Sequence, residues 1–252
     1  MAKSKLTNLK LEDVLNRQEQ LSKFKFADAE FFNRKKSESS GEHGNLLLID
    51  SLFTEQKGMG WQRDLPDFRD YNLNTDMKDV SESRKEKGVK KSIKDLAKQV
   101  GVFNAPATLP SSVNLIPWFS PIEDQGAIGS CTANAGVAIL EYFERRAFGN
   151  HIDASRLFLY KATRNLLNWT GDTGAYLRTT MEALTVFGVP PEKYWPYRIN
   201  NFDAEPTAFC YSFGQSYQAI SYFRHDTPVL SPNDLLKSIK TWVAAGVPAM
   251  FG

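Results

Sequence analysis

Pro121-Ile-Glu-Asp-Gln-Gly-Ala-Ile-Gly-Ser-Cys-Thr-Ala-Asn-Ala135 is a glycine-punctuated loop that ends at a cysteine and runs straight into an apolar helix. Gly126 and Gly129 let backbone segments approach closely, and Ser130 is placed to cap a helix beginning near Cys131. A thiol at a helix N-terminus sits at the positive end of the macrodipole, which favours the thiolate. Gln125, on the same loop, adds a side-chain amide six positions earlier.

The residues after the cysteine predict a mainly helical body. From Cys131 to Phe148 the first half is apolar nearly all round (Ala133, Ala135, Val137, Ile139, Leu140), as in a core helix; Arg145-Arg146 and then Gly149 stop it. A second helix is expected from Ser155 to Asn168 and a third from Leu177 to Phe187, ended by Gly188 and Pro190-Pro191. Tyr194-Trp195-Pro196-Tyr197 reads as a packed aromatic loop and Asn201–Cys210 as polar and irregular. Strands are expected over 217–223, 229–230 and 247–252, with a helix from Ser231-Pro-Asn-Asp234 to Trp242 among them.

Composition limits the function classes. A chain of 252 residues with 42% hydrophobic residues can build one large domain or two smaller ones. The net charge of +2 gives no pull toward nucleic acid. Charge is uneven: residues 1–100 hold 20 Lys/Arg and 17 Asp/Glu, leaving 11 and 12 for residues 101–252. The first part therefore reads as solvated and the second as packed. Two cysteines make no disulfide framework, and Cys210 has no second thiol at metal-ligand spacing, so neither metal nor cofactor is expected. The N-terminus lacks the apolar run of a signal peptide, and Leu46–Ile49 is too short to span a bilayer; a cytoplasmic protein with no membrane contact is expected.

In the charged part, residues 7–34 read as a helix and Leu46–Ile49 as a short strand. Gly58, Gly60 and Pro66 forbid a regular helix over 57–73, where Trp61, Phe68 and Tyr71 are candidate aromatic anchors and Asp67, Arg69 and Asp70 candidate structural partners. Residues 75–100 are a mixed charge run, a solvated helix or linker that marks the domain boundary. Leu109–Leu115 opens the packed part as an extended segment.

Ile128-Gly129-Ser130-Cys131-Thr132 resembles the cysteine segment of papain-like (C1-type) peptidases, with Ile128 and Thr132 departing from the usual cysteine and aromatic. The segment 57–73 resembles a Gly-Trp-x-x-Asp-x-Pro-Asp-x-Arg-Asp-Tyr stretch found ahead of the peptidase domain in a microbial-type branch of that family. Gly171-Asp-Thr-Gly-Ala-Tyr176 and Glu192-x-x-Trp195-Pro196-Tyr197 extend the likeness from about Leu109 to Gly252. The resemblance implies an α+β papain-like fold with its helical domain largely complete, its β-rich domain only begun, and an N-terminal mixed-charge extension. Residues 1–106 would be a pro-region or accessory segment, expected to dock on a peptidase domain over 107–252.

By the same resemblance Cys131 is the nucleophile, and Gln125 points its amide at the developing oxyanion. Gly129, Ser130, Asp172, Gly174 and Ala175 would line the path of a peptide or protein substrate. Asp172-Thr173 stands where the family has Asn-Gly. A papain-type cysteine also needs a histidine about 130–150 residues downstream, which falls beyond Gly252. Of the histidines present, His43, His151 and His225, the last is the weakest candidate base. Two readings follow: the N-terminal portion of a cysteine peptidase, nearly inactive as it stands, or a non-catalytic papain-like remnant that binds peptides or regulates a partner.

Overall fold

The computed structural model describes residues 58–65, 67, 70, 93–99 and 108–252. The expected helix over 7–34, the strand at Leu46–Ile49, the anchors Phe68 and Tyr71, His43 and most of the charge run lie outside them.

Three helices form the body: α2 (Cys131–Phe148), α3 (Arg156–Leu166) and α4 (Leu177–Val186). All three lie within a residue or two of the positions expected from the apolar pattern. Leu157, Phe158, Leu159, Tyr160 and Ala162 of α3 are fully buried, making α3 the central element, packed on Ala133 and Val137 of α2 and Ala183 and Leu184 of α4. Ser155 caps α3 by accepting from the Phe158 N–H and donates to the Trp195 carbonyl at 2.6 Å.

Charged residues inside this body hold its loops. Glu141 and Glu144, buried on α2, accept from the backbone N–H groups of Ala154 (2.9 Å) and Ile152 (2.8 Å). Arg164, fully buried, lies against the Tyr160 ring, pairs with Asp203 at 2.8 Å and donates to the carbonyls of Gly171 and Phe202. Arg145 and Arg146, read in the sequence as part of a helix stop signal, also hold neighbouring backbone. Arg145 donates to the Phe119 carbonyl, and buried Arg146 donates to the Tyr142 hydroxyl and the Gly246 carbonyl.

The later part differs from the strand expectation. Residues 217–223, 229–230 and 247–252 form no strand. A strand exists through its ladder, and these stretches spend their groups elsewhere: Ala219 N–H donates to the Leu184 carbonyl and Gln218 Nε2 to that of Val186. Within 201–210, expected to be irregular, α5 (Ala208–Gly214) begins at Thr207, whose side chain accepts from Cys210 N–H. α6 (Pro232–Ala244), capped by Ser231, follows the expectation. Its Trp242 packs on Phe223 and on Ala97 of α1 (Ile93–Gln99), so at least that part of the charge run is not simply solvated.

Among the described residues the one sheet is a parallel pair, β1 (Trp61–Gln62) with β2 (Ala175–Tyr176), in register Trp61–Ala175 and Gln62–Tyr176. It joins the N-terminal segment to the body. None of the described helices is long and apolar enough to cross a membrane.

Candidate active site

Cys131 is the first residue of α2 and is partly exposed. Ser130 takes the cap position but makes no side-chain cap bond, which departs from expectation. Its buried hydroxyl lies 2.7 Å from the Tyr197 hydroxyl and accepts from Asn134 Nδ2 at 3.0 Å. Tyr197 also donates to the Gln125 carbonyl at 2.8 Å, so one phenol ties the glutamine and the residue before the cysteine together. Burial pushes the Tyr197 phenol above its ordinary pKa, which keeps it a donor.

Arg156, at the start of α3, holds the same loop from the other side. It pairs with Glu123 at 2.9 Å and Glu192 at 3.3 Å, donates to the Asp124 carbonyl and stacks on Tyr197. Glu123, Asp153 and Glu192 gather closely enough to suggest a cation site, but Arg156 already pairs with two of them.

Asp172 is turned inward. Its carboxylate accepts from Gly129 N–H at 2.8 Å and from the Tyr160 hydroxyl at 2.6 Å, so it joins the cysteine loop to α3. Gly174, at φ 72°, donates its N–H to that same hydroxyl, and this left-handed backbone conformation turns the chain into β2. Burial, with the neighbouring carboxylate, raises the Tyr160 pKa strongly. Gly129, Asp172, Gly174 and Ala175 are thus brought together beside Cys131.

Gly58, Gly60 and Gln62 of the chain's own N-terminal segment lie against the cysteine loop and the β2 region. Gln125 Nε2 donates to the Gly58 carbonyl at 2.7 Å and to the Ile128 carbonyl at 3.1 Å. Ala175 N–H donates to the Gly60 carbonyl at 2.8 Å, and Gln62 Nε2 to the Thr173 carbonyl at 3.2 Å. A Cβ on Gly60 would overlap the Gly129 backbone, so only glycine passes there. Met59 between the two glycines is 95% exposed.

Beyond β1 the segment is held by charge. The Asp64 carboxylate accepts from Arg178 N–H at 3.0 Å, Asp70 pairs with Arg178 Nε at 2.5 Å, and Arg224 reaches Asp70 at 3.5 Å and the Asp64 carbonyl at 3.1 Å. Burial raises the Asp64 pKa; at Asp70 burial pushes the same way but is outweighed, chiefly by the Arg178 hydrogen bond, and the pKa is held low.

His225 lies against Phe223 and Trp242, 3.2 Å from Ser238 Oγ, and His151 stands 4.0 Å from Glu141. Among the described residues no histidine bonds to Cys131.

No family model matches the chain. It is 30% identical over 204 residues to an uncharacterized peptidase C1-like protein of Acanthamoeba polyphaga mimivirus, across 79% of this chain and 62% of that protein. The crystal structure of xylellain, a cysteine protease from Xylella fastidiosa, superposes with a TM-score of 0.51 at 28% identity, across 76% of this chain and 65% of that one. In sequence and in fold the chain is similar to papain-like, C1-type cysteine peptidases. It spans somewhat under two thirds of the length of either relative.

Within this papain-like body the cysteine loop and the β2 region are held side by side by contacts that no local pattern marks. Tyr197 was read only as core and Arg156 was not singled out. Asp70 reads in the sequence as a partner within its own turn, whereas it reaches 108 residues along the chain to Arg178, and Asp64 reaches 114.

Proposed function

We propose that the chain carries the nucleophile half of a cysteine peptidase, with Cys131 attacking a peptide carbonyl and Gln125 stabilising the oxyanion. The observation that carries the reading is the placement of a partly exposed thiol at the first turn of α2, beside a loop whose glutamine amide already binds a peptide carbonyl, that of Gly58. The step forms a bond between Sγ and the carbonyl carbon, and collapse of the tetrahedral adduct expels the amine and leaves an acyl-enzyme that water hydrolyses. The Gln125 amide and the Cys131 backbone N–H are the donors offered to the oxyanion, and such donors are worth about 2.7–4 kcal/mol each. Gly129, Ser130, Asp172, Gly174 and Ala175 shape the path beside them, Ser130 and Asp172 by holding the loop and Gly174–Ala175 by pairing with an extended backbone. Residues 107–252 form the peptidase domain on this reading, and residues 1–106 an accessory segment whose residues 58–65, with β1 at Trp61–Gln62, lie along the substrate path and exclude substrate.

The general base is not supplied by the described histidines, since His225 and His151 have other partners. That favours a second reading, a papain-like module that binds extended peptides without turnover. Hydrolysis of fluorogenic peptides by the protein from its natural host, against the same protein with Cys131→Ala, separates the two. Loss of turnover in the variant supports the peptidase; equal turnover overturns it. Peptide binding with no turnover in either supports the module.

A further inference from the structure

We propose that Arg178 and Arg224 form a carboxylate-binding subsite at the end of the substrate path, filled in the resting chain by Asp64 and Asp70, and selective for an acidic residue in any peptide that replaces the segment. The inference rests on the substrate-path reading above and adds its specificity. β2 runs directly into α4, so Arg178 stands three residues past Ala175. On the segment, Asp64 stands three residues past Trp61, the register partner of Ala175. An extended chain advances about 3.3 Å per residue, so any strand pairing with β2 carries a residue at that spacing onto Arg178.

The site is built to take a carboxylate. Arg178 supplies its backbone N–H to Asp64 and its guanidinium to both aspartates, and its side chain is only 12% exposed. The N-cap residue of α4, Tyr176, makes no side-chain cap bond, so Asp64 serves the helix N-terminus from elsewhere in the chain. Arg224 approaches from a separate loop, oriented by Asp226, which it binds at 2.7 and 2.8 Å. With the segment gone, Arg224 keeps Asp226. Among the described residues the ion pairs of Arg178 go to Asp64 and Asp70, so the segment takes both with it. An incoming acidic side chain restores these charge-assisted hydrogen bonds, which an amide does poorly.

The test is binding, which does not require turnover. Fluorescein-labelled octapeptide pools, with one position at a time fixed as Asp, Asn or Lys, are titrated by anisotropy against the 252-residue chain carrying Gly60→Ala, which lifts the segment, together with Asp64→Asn and Asp70→Asn. At one position the Asp pool is expected to bind about tenfold tighter than the Asn pool, the size of one charge-assisted hydrogen bond, with Lys weakest. Adding Arg178→Gln is expected to erase the preference, and Arg178→Lys to keep part of it. Arg224→Gln, on a loop outside the helical body, provides a second variant whose folding is less at risk and is expected to weaken the preference. Neutral pools binding with no acid preference, or a preference that survives both glutamine variants, overturns the subsite alone. Failure of every pool to bind overturns the subsite together with the substrate path.

Discussion

The side-chain amide of Gln125 donates to the carbonyl oxygen of Gly58 at 2.7 Å, across 67 positions of sequence. On the proposed reading, the donor that a substrate carbonyl would need is engaged by the chain's own backbone. Gln125→Ala is expected to lower kcat roughly a hundred- to a thousandfold, the effect of removing one oxyanion donor. Steady-state kinetics on the peptidase check it, and an unchanged kcat would remove Gln125 from the chemistry.

Gly60 is where the segment passes closest to the cysteine loop, and a Cβ there meets the Gly129 backbone, which cannot yield as a side chain could. Gly60→Ala is expected to lift the segment from the cysteine loop while leaving the helical body intact. Overpacking typically costs about 1–3 kcal/mol, so trypsin cleavage at Arg63 should quicken by roughly tenfold or more. Mass spectrometry of the digest reads this out directly; protection equal to that of the parent chain would show that the segment is not seated as described.

Tyr197→Phe removes a hydroxyl that binds both the Gln125 carbonyl and Ser130 Oγ. Leaving two part-buried groups short of a partner should cost about 1–3 kcal/mol of stability. A denaturant midpoint that falls at constant slope is the expected result. If Tyr197 also positions the loop, kcat falls further than KM changes.

Glu141 gives the chain a pH dependence. Burial pushes its carboxyl from the ordinary 4.5 up to about 7, despite the hydrogen bonds from Ala154 N–H and Ser120. Because the folded pKa lies above the unfolded one, the native chain holds a proton that the unfolded chain has lost between those values. This contribution therefore falls as pH rises from about 4.5 to 7, by on the order of 3 kcal/mol. Unfolding free energies across that range should decline more steeply in the parent than in Glu141→Gln, and parallel profiles would sink the assignment.

Local chemistry accounts for what could be read in the chain. The apolar run after Cys131, Gly149 after Arg145-Arg146, Ser155 before α3 and Ser231-Pro232 before α6 are short-range signals, and each helix lies where they put it. The strands over 217–223 and 247–252 were misread because β-rich composition reports only a suitable side-chain pattern, whereas a ladder needs a partner at the right distance.

From its residues alone the chain disclosed its longer helices α2, α3, α4 and α6 and the Gln125–Cys131 loop, because caps, glycines and apolar periodicity act within a few residues, and its motifs resemble those of papain-like peptidases. Tertiary structure alone decided how that loop is held: Tyr197 and Arg156 fasten it, Gly58 and Gly60 lie against it, and Asp64 and Asp70 rest on Arg178. Those contacts join residues from about 30 to more than 100 positions apart. Which charge meets which arginine is set by where the helices bring the chain, and no local pattern records it.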